Sequence, residues 1–224
     1  MYVKDHMTAD PITIDPDVTL LKALEIMGKH KFHRLPVVQG GKLVGLITEG
    51  LVNETSGKDS TSLSIYELNY LLSRTYARDI MITDVKTISP DAWIEEAAEE
   101  MLHNNINVLP VVDEKKHVVG IVTEKDLFKA FLNLTGYRHQ GTRFVVKVPD
   151  QPGQFAKVCN LFEQENANIE NLGVYHSKER GVEVVIRATG EVSVERMTSV
   201  LKDAGWTVVN VWQTKAEEAY KSSK

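Results

Sequence analysis

The sequence predicts a mixed α/β (α+β) protein, in which a duplicated unit of small mixed sheets and helices precedes a smaller domain of order βαββαβ. Three observations lead to this prediction: an internal repeat within residues 1–135, a separate strand and helix pattern after residue 142, and an ordinary globular composition. The chain has 224 residues, of which 42% are hydrophobic and 25% are charged. It is therefore long enough for one or two domains with buried cores.

The internal repeat consists of short segments that recur in the same order. The matching segments are 5–7 and 79–81, 14–17 and 88–91, 35–38 and 109–112, and 45–49 and 120–124. The offset is 74 residues between Asp5 and Asp79 and 75 residues between Gly45 and Gly120, because one residue is inserted in the turn before the last segment. Self-similarity at a nearly fixed spacing indicates the duplication of one structural unit.

The sequence of each copy predicts the same order of helices and strands. A short extended run precedes a helix whose apolar residues at i, i+3, i+4 and i+7 form one face. These residues are Leu20, Ala23, Leu24 and Met27 in copy one, and Ile94, Ala97, Ala98 and Met101 in copy two. Two apolar strands and a final helix follow. Because one copy of about 55 residues would bury too little surface alone, we expect the copies to pack together and form two related clefts.

The predicted domain boundaries follow the repeat. They are 1–54 for the first copy, 55–76 for a linker with a short helix, 77–135 for the second copy, and 142–216 for the C-terminal domain. Residues 54–62 are polar and rich in Ser, Thr and Gly, which predicts a loop. Ser64 and Glu67 fit a capping box, so a helix carrying leucines at positions 68, 71 and 72 should begin there.

The C-terminal segment predicts four strands and two helices. In order, these are a strand at 144–148, a Pro- and Gly-rich turn at 149–153, a helix at 155–162, strands at 169–177 and 182–189 around a turn at 178–181, a helix at 192–204, and a strand at 206–212. The order βαββαβ is that of the ferredoxin-like fold.

The motifs of the repeat resemble a known family. The patterns Asp-x-Met-Thr, His-Arg-Leu-Pro-Val-Val and Gly-x-x-Thr-x-x-Asp, in this order over residues 1–135, resemble the CBS domain, and two such units resemble a Bateman module. The resemblance implies that the pair binds an adenosine-containing ligand in the clefts between the copies. The ligands of that family are AMP, ADP, ATP, S-adenosylmethionine and cyclic di-AMP.

The resemblance also implies which residues hold the nucleotide. Asp126 stands where the family has its ribose carboxylate, and Arg34 stands at the phosphate position of the other copy. Thr123 begins a helix, whose N-terminal amides suit a phosphate, and each charge-assisted bond from Arg34 would contribute about 1.5–3 kcal/mol. The predicted site consists of His33, Arg34, Pro36, Ile80, Thr83, Thr87, Thr123 and Asp126, with the backbone of 80–87 lining the adenine pocket.

The second cleft is predicted to be poorer. Leu51 replaces Asp126 in copy one, and Asn107-Val108 replace His33-Arg34 in copy two. Its predicted residues are Thr8, Thr13, Thr48 and Asn107. The alternative is that Arg34 and Asp126 form only surface ion pairs. Their placement in complementary copies, and their absence from the matching positions, favour one competent site.

The C-terminal segment resembles the ACT domain through Asp150-x-Pro152-Gly153 and Asn168-Ile169. ACT domains are regulatory modules that pair, and some bind amino acids between the paired domains, so both alternatives stay open. The residues implied for ligand or interface contact are Asp150, Gly153, Gln154, Asn168 and Ile169. A CBS pair followed by one ACT domain resembles the AcuB type of acetoin utilization protein, which implies acetoin or acetate metabolism as a context.

The composition argues against several classes of function. The net charge is −5, so nonspecific nucleic-acid binding is not favoured. No run approaches the ~20 apolar residues of a membrane span, and residues 1–11 lack the apolar core of a signal peptide, so we expect a cytoplasmic protein without a membrane partner. The single cysteine, Cys159, falls on an apolar helix face, and the seven histidines show no metal-ligand spacing, so we expect no metal site.

Three functions remain open from the sequence. The first is a non-catalytic, homodimeric regulator that senses an adenine nucleotide and acts on a partner enzyme. The second is a structural dimerisation protein whose clefts bind nothing, and the third is an enzyme whose site is not recognised. We favour the first because no Walker-type glycine loop, nucleophile elbow or other catalytic pattern occurs. The nucleotide would then be a regulatory ligand and not an obligatory cofactor.

Overall fold

The computed structural model describes residues 1–55, 64–178, 181–190 and 192–214. The chain divides into two compact units, Met1–Lys129 and Ala130–Lys224. The sequence placed the boundary slightly later, at 136–141. The division comes earlier because the Leu134 carbonyl accepts a hydrogen bond from Asn171 Nδ2 and His139 lies 3.6 Å from the Glu170 carboxylate, so these residues fold with the second unit.

The elements of the first unit follow the predicted repeat. Copy one contains strand β1 (Thr8–Ala9), helix α1 (Leu20–His30), strands β2 (Arg34–Gln39) and β3 (Lys42–Thr48), and helix α2 (Glu49–Thr55). Helix α3 (Ile65–Arg74) lies in the linker. Copy two contains helices α4 (Ala77–Ile80) and α5 (Ile94–Asn104), strands β4 (Val108–Val112) and β5 (Val118–Thr123), and helix α6 (Glu124–Leu134), which continues into the second unit.

The apolar faces of α1 and α5 lie in the core of the first unit. Their buried residues are Leu20, Ala23 and Met27 in α1, and Ile94, Ala97 and Met101 in α5. Both helices end at a residue in the left-handed conformation, Lys31 with φ 57° and Asn105 with φ 52°. The helices predicted from the 3.6-residue period are therefore confirmed.

The linker helix begins where the sequence predicted. Ser64 Oγ accepts a hydrogen bond from the Glu67 amide at 3.4 Å, and Glu67 Oε2 accepts one from the Ser64 amide at 2.8 Å. This reciprocal pair is the predicted capping box, and Leu72 is the residue of α3 that is buried. Most of the loop predicted at 54–62 lies outside the described residues.

The opening segments of the two copies are exchanged. In each copy two strands pair in antiparallel fashion, β2 with β3 and β4 with β5. Strand β1 of copy one adds to β5 of copy two, with Thr8 opposite Ile121. In return, Ile82 at the start of copy two bridges to Leu46 on β3 of copy one. Parallel bridges from Ile14 and Ile88 onto the next strand of the same copy make the sheets mixed, as predicted.

Two methionines fix this exchange by packing against two glycines. A Cβ atom added to Gly120 on β5 would overlap the Sδ atom of Met7, and one added to Gly45 on β3 would overlap the Sδ atom of Met81. The methionine of each copy therefore covers the glycine of the other copy. This contact explains why the pattern Asp-x-Met and the glycine of the second strand recur together in both copies.

The second unit contains one antiparallel sheet and two helices. Its elements are strand β6 (Gly141–Lys147), helix α7 (Gln154–Gln164), strands β7 (Asn168–Ser177) and β8 (Gly181–Thr189), helix α8 (Val194–Asp203), and strand β9 (Thr207–Thr214). The strand order is β7-β8-β6-β9, which is the predicted ferredoxin-like arrangement. Residues 179 and 180 of the predicted turn, and 215 and 216 at the end of the predicted domain, lie outside the described residues.

The core of the second unit lies between the sheet and the two helices. Alternate residues of the central strand β8 enter it, namely Val182, Val184, Ile186 and Ala188. Phe144 of β6 and Phe162 of α7 meet edge to face with ring centroids 5.6 Å apart. This packing fixes the loop between β6 and α7, which carries several of the predicted site residues.

Substitution of the covered glycines tests the exchanged segments. We expect Gly120→Ala to lower the free energy of unfolding by about 1–3 kcal/mol, because the added methyl group must displace Met7 from a packed site. Gly45→Ala should lower the free energy of unfolding by a similar amount, because its methyl group must displace Met81. Urea denaturation followed by circular dichroism measures both changes.

The matched control is Gly28→Ala in the middle of α1. Nothing lies within 4 Å of its added Cβ atom, so the higher helix propensity of alanine should stabilise this variant by about 0.5–1 kcal/mol. Equal stabilities of Gly120→Ala and Gly28→Ala would contradict the packing of Met7 against β5.

Candidate functional site

A cavity of about 560 Å³ in the first unit brings together residues of both copies. We call it the Asp126 cavity. Its volume lies within the range of small-molecule sites. Five predicted site residues line it: His33, Arg34, Pro36, Thr123 and Asp126. Copy one thus supplies the predicted phosphate residues and copy two the predicted ribose carboxylate, as the sequence placed them.

Asp126 lies on the first turn of α6 and is only 6% exposed. Its Oδ2 atom accepts hydrogen bonds from the Thr123 amide at 3.1 Å and from Thr123 Oγ1 at 2.7 Å. Its Oδ1 atom accepts a hydrogen bond from Lys129 Nζ at 2.9 Å. The carboxylate is therefore held in place by the residue before the helix and by a lysine one turn later.

Arg34 is the first residue of β2, and its guanidinium donates a hydrogen bond to Asn107 Oδ1 of copy two. Burial lowers the pKa of Arg34, and the nearby Glu124 carboxylate partly opposes this effect. Arginine remains protonated at neutral pH even so. A partly desolvated guanidinium at the edge of a cavity is well suited to bind an anion.

His33 is directed toward the start of α2. Its Nδ1 atom lies 2.7 Å from Glu49 Oε2, and the imidazole is largely exposed. His33 lines the Asp126 cavity together with Arg34, but it also borders a second cavity. Its contact with Glu49 ties it to copy one.

The second cavity, of about 460 Å³, is bordered by Thr48 and Asn107, two residues of the predicted poorer cleft. We call it the Thr48 cavity. Thr48 Oγ1 accepts a hydrogen bond from the Leu51 amide at 3.1 Å. This hydroxyl thus caps α2, but Leu51 at the position equivalent to Asp126 offers no carboxylate. Arg34 and Asn107 line both cavities.

The structure groups four predicted residues differently. Ile80 packs against the core of copy one, while Thr83 and Thr87 line a third cavity of about 410 Å³ beside Lys116. Thr8, placed in the poorer cleft by the sequence, instead lines the Asp126 cavity. The exchanged opening segments cause the difference, since each one pairs with the strands of the other copy.

The segments around residues 8–13 and 82–86 show the same exchange. Pro11 and Ile12 line the Asp126 cavity, and Thr13 precedes Ile14, which bridges to Val37 within copy one. Residues 82 and 84–86 line the Thr48 cavity. The backbone beside the Asp126 carboxylate is therefore that of residues 8–12 and not of 80–87.

Three lysines at the Asp126 cavity were missed by the sequence reasoning. They are Lys31, Lys125 and Lys129. With Arg34 they give the cavity four cationic side chains, against the two carboxylates of Glu124 and Asp126. Lys31 could have been found from its place just after a helix and before His33-Arg34, and Lys129 from its i+3 spacing to Asp126.

In the second unit, Gln154 belongs to the core. Its side chain is 6% exposed, and its Oε1 atom accepts a hydrogen bond from Trp206 Nε1 at 3.2 Å. The sequence placed Gln154 at a ligand or interface position, whereas its amide is committed to Trp206. Gly153 precedes α7 with φ 84°, a conformation that favours glycine.

The remaining predicted residues of the second unit lie at opposite ends of its sheet. Asp150 is exposed and lies 3.7 Å from His176 near the end of β7. Asn168, at the start of β7, pairs with Thr189 at the end of β8, and Ile169 packs on the core. One chain therefore does not bring Asp150 and Asn168 together.

Two further findings concern only the part of the chain that the structure describes. There, no three His, Cys, Asp or Glu side chains come together in a way that could hold a metal ion. None of the described helices combines the length and apolar character needed to cross a membrane.

Comparison with known families gives two matches. The CBS domain matches residues 3–51 and 77–133, and the ACT domain matches residues 142–205. Both resemblances predicted from the motifs, the duplicated CBS unit and the C-terminal ACT domain, are confirmed.

Three individual relatives match about three fifths of the chain. The uncharacterized protein MJ1426 of Methanocaldococcus jannaschii is 34% identical over 155 residues, which are 59% of this chain and 92% of that protein. The crystal structure of the CBS domain pair of protein MJ0100, in complex with 5'-methylthioadenosine and S-adenosyl-L-methionine, is 30% identical with a TM-score of 0.50, covering 59% of this chain and 97% of that one. A Vibrio cholerae protein described as an acetoin utilization protein (AcuB) is 29% identical with a TM-score of 0.50, covering 62% of this chain and 95% of that one.

Other curated relatives are much longer than the matched region. The chain spans 46% of the uncharacterized protein MJ1225 and 23% of an L-aspartate semialdehyde sulfurtransferase, both from Methanocaldococcus jannaschii. The chain therefore spans less than half the length of these two relatives.

Substitution of Gln154 tests its place in the core. We expect Gln154→Ala to lower the stability of the second unit by about 1–3 kcal/mol, because Trp206 Nε1 would be buried without an acceptor. The matched control is Gln151→Ala, in the loop just before α7 and exposed, which should change stability little. Chemical denaturation followed by tryptophan fluorescence measures both changes. Equal effects of the two substitutions would contradict the role of Gln154 in the core.

Proposed function

This chain belongs to the family of CBS-domain proteins and carries an ACT domain after its CBS pair, and from this premise we propose that it is a non-catalytic regulator that binds an adenine nucleotide in the Asp126 cavity. The observation that carries the proposal is the meeting of Arg34 from copy one with Asp126 and Thr123 from copy two around one cavity. A ligand seated there would contact both copies at once.

The chemistry of the cavity suits a nucleoside with phosphate groups. The Asp126 carboxylate can accept hydrogen bonds from ribose hydroxyls, and Pro11, Ile12 and Phe32 supply apolar surface for a base. The excess of cationic side chains favours an anionic ligand. The related MJ0100 pair binds 5'-methylthioadenosine and S-adenosyl-L-methionine, which supports the adenosyl part of the proposal, while the local charge favours AMP, ADP or ATP here.

The proposed mechanism follows from the exchange of segments. A nucleotide held by Arg34 and Asp126 would fix one arrangement of the two copies, which are already joined by the pairing of β1 of copy one with β5 of copy two. A change of arrangement passed to the ACT domain would alter its contact with a partner enzyme. Couplings of this kind are about 1–3 kcal/mol.

The ACT domain is proposed to act as a homodimerisation module. Because one chain holds Asp150 and Asn168 at opposite ends of the sheet, an amino-acid site using both would need a second copy. The similarity to AcuB supports acetoin or acetate metabolism as the context. We place the protein in the cytoplasm, in keeping with a regulator of metabolic enzymes.

Isothermal titration with AMP tests the assignment of the cavity. We expect Asp126→Asn and Arg34→Met each to weaken AMP binding at least about tenfold, since each removes a charge-assisted hydrogen bond. The matched control is Asp84→Asn, a carboxylate of the Thr48 cavity, which should bind AMP as the wild type does. Loss of binding in Asp84→Asn alone would move the site to the Thr48 cavity.

A melting experiment separates the regulator from a structural protein with empty clefts. A nucleotide present at 100 times its Kd should stabilise the folded protein by about 2.7 kcal/mol. If AMP, ADP and ATP at millimolar concentration all leave the melting temperature unchanged, the protein is a dimerisation scaffold and not a nucleotide sensor.

A further inference from the structure

Lys129 stands out among the cationic residues of the Asp126 cavity because it contacts the ribose carboxylate. Its Nζ atom lies 2.9 Å from Asp126 Oδ1. Asp126 is almost fully buried, whereas the Lys129 side chain is 50% exposed. A buried anion is thus neutralised by a cation that reaches it from the solvent side.

The hydrogen-bonding capacity of Asp126 is almost used up by this arrangement. An ionised carboxylate offers about four acceptor positions, two on each oxygen. Thr123 fills both positions on Oδ2 through its amide and its hydroxyl. Lys129 takes one of the two on Oδ1, so one position remains.

A ribose needs two acceptor positions for its 2'- and 3'-hydroxyls. With Lys129 in place, Asp126 can accept only one of them. Thr123 is held by its place at the start of α6, since its amide is one of the two donors. Lys129 is the donor that can leave, because an ion pair with a half-exposed lysine is weak and exchanges readily.

We propose that Lys129 makes the cavity selective for phosphorylated nucleosides. Lys129 blocks one ribose acceptor until a ligand phosphate in the same cavity draws its ammonium group away from Asp126. An unphosphorylated nucleoside has no group that can do so, and it must displace the lysine without compensation. The inference rests on the proposed nucleotide site and adds the class of ligand and the residue that selects it.

The other cations of the cavity do not donate a hydrogen bond to the Asp126 carboxylate. The guanidinium of Arg34 is bonded to Asn107, and Lys31 and Lys125 are not among the three donors to Asp126. These residues add positive potential for a phosphate. Only the lysine paired with the ribose carboxylate links the presence of a phosphate to the capture of the sugar.

The test compares AMP with adenosine in the full-length protein by isothermal titration. In Lys129→Met, adenosine should bind about threefold to fivefold more tightly than in the wild type, the scale of an ion pair with a half-exposed lysine. AMP should bind about tenfold more weakly, because one charge-assisted contact to phosphate is lost. The preference for AMP over adenosine should therefore fall by more than an order of magnitude.

Lys125→Met is the matched control, with the same change of charge at the same cavity. It should weaken AMP without tightening adenosine. Lys129→Gln, which keeps a hydrogen-bond donor but loses the charge, should give an intermediate preference. Circular dichroism and the melting temperature of both Lys129 variants check that they are folded at the temperature of the titration.

The outcomes separate this inference from the proposed function. If wild type binds AMP through Asp126 but Lys129→Met binds adenosine no more tightly, the selective role of Lys129 is wrong and the nucleotide site stands. If Lys125→Met tightens adenosine as much as Lys129→Met, the effect is general electrostatics and the inference also fails. If wild type binds neither AMP nor adenosine, the proposed function itself fails and the inference falls with it.

Discussion

The packing of two methionines on two glycines holds the first unit together as one body. Met7 lies over Gly120 and Met81 over Gly45, so each copy is covered by a segment that belongs to the other. Glycine suits both places, since a Cβ atom there would overlap the thioether and force it to move. The edge pairing of Thr8 with Ile121 and the bridge of Ile82 to Leu46 depend on this close approach.

The exchange also decides the composition of the two cavities. Thr8, Pro11 and Ile12 line the Asp126 cavity, and residues 82 and 84–86 line the Thr48 cavity. Although the copies are alike in sequence, the cavity with the carboxylate combines His33 and Arg34 of copy one with the helix start of copy two. In copy one the residue equivalent to Asp126 is Leu51, whose amide donates a hydrogen bond to Thr48 Oγ1, so the Thr48 cavity has no equivalent of the Asp126 carboxylate. The proposed functional asymmetry of the two cavities therefore rests on a few differences at equivalent positions.

Much of the fold and part of the site could be predicted from the sequence. Features that depend on nearby residues or on a regular period were predicted well. They are the repeat, the apolar faces of α1 and α5, and the Ser64–Glu67 cap. The pairing of Arg34 with Asp126 came from the resemblance of the motifs. The sequence did not predict that residues near β1 lie beside Asp126. Strand β1 is only two residues long, and its partner strand lies more than a hundred residues later. The contact between Gln154 and Trp206 was missed because the two residues are 52 positions apart in the chain.

The exchanged segments also determine how such a protein can be divided or inherited. Cutting the chain in the linker would leave each half with an uncovered glycine on its strand and a methionine with nothing to cover. A half moved to another protein alone would lose these contacts, and recombination between the copies would keep each contact only if both of its partners were replaced together. The smallest heritable unit of this architecture is the pair, even though the smallest repeated unit is the single copy.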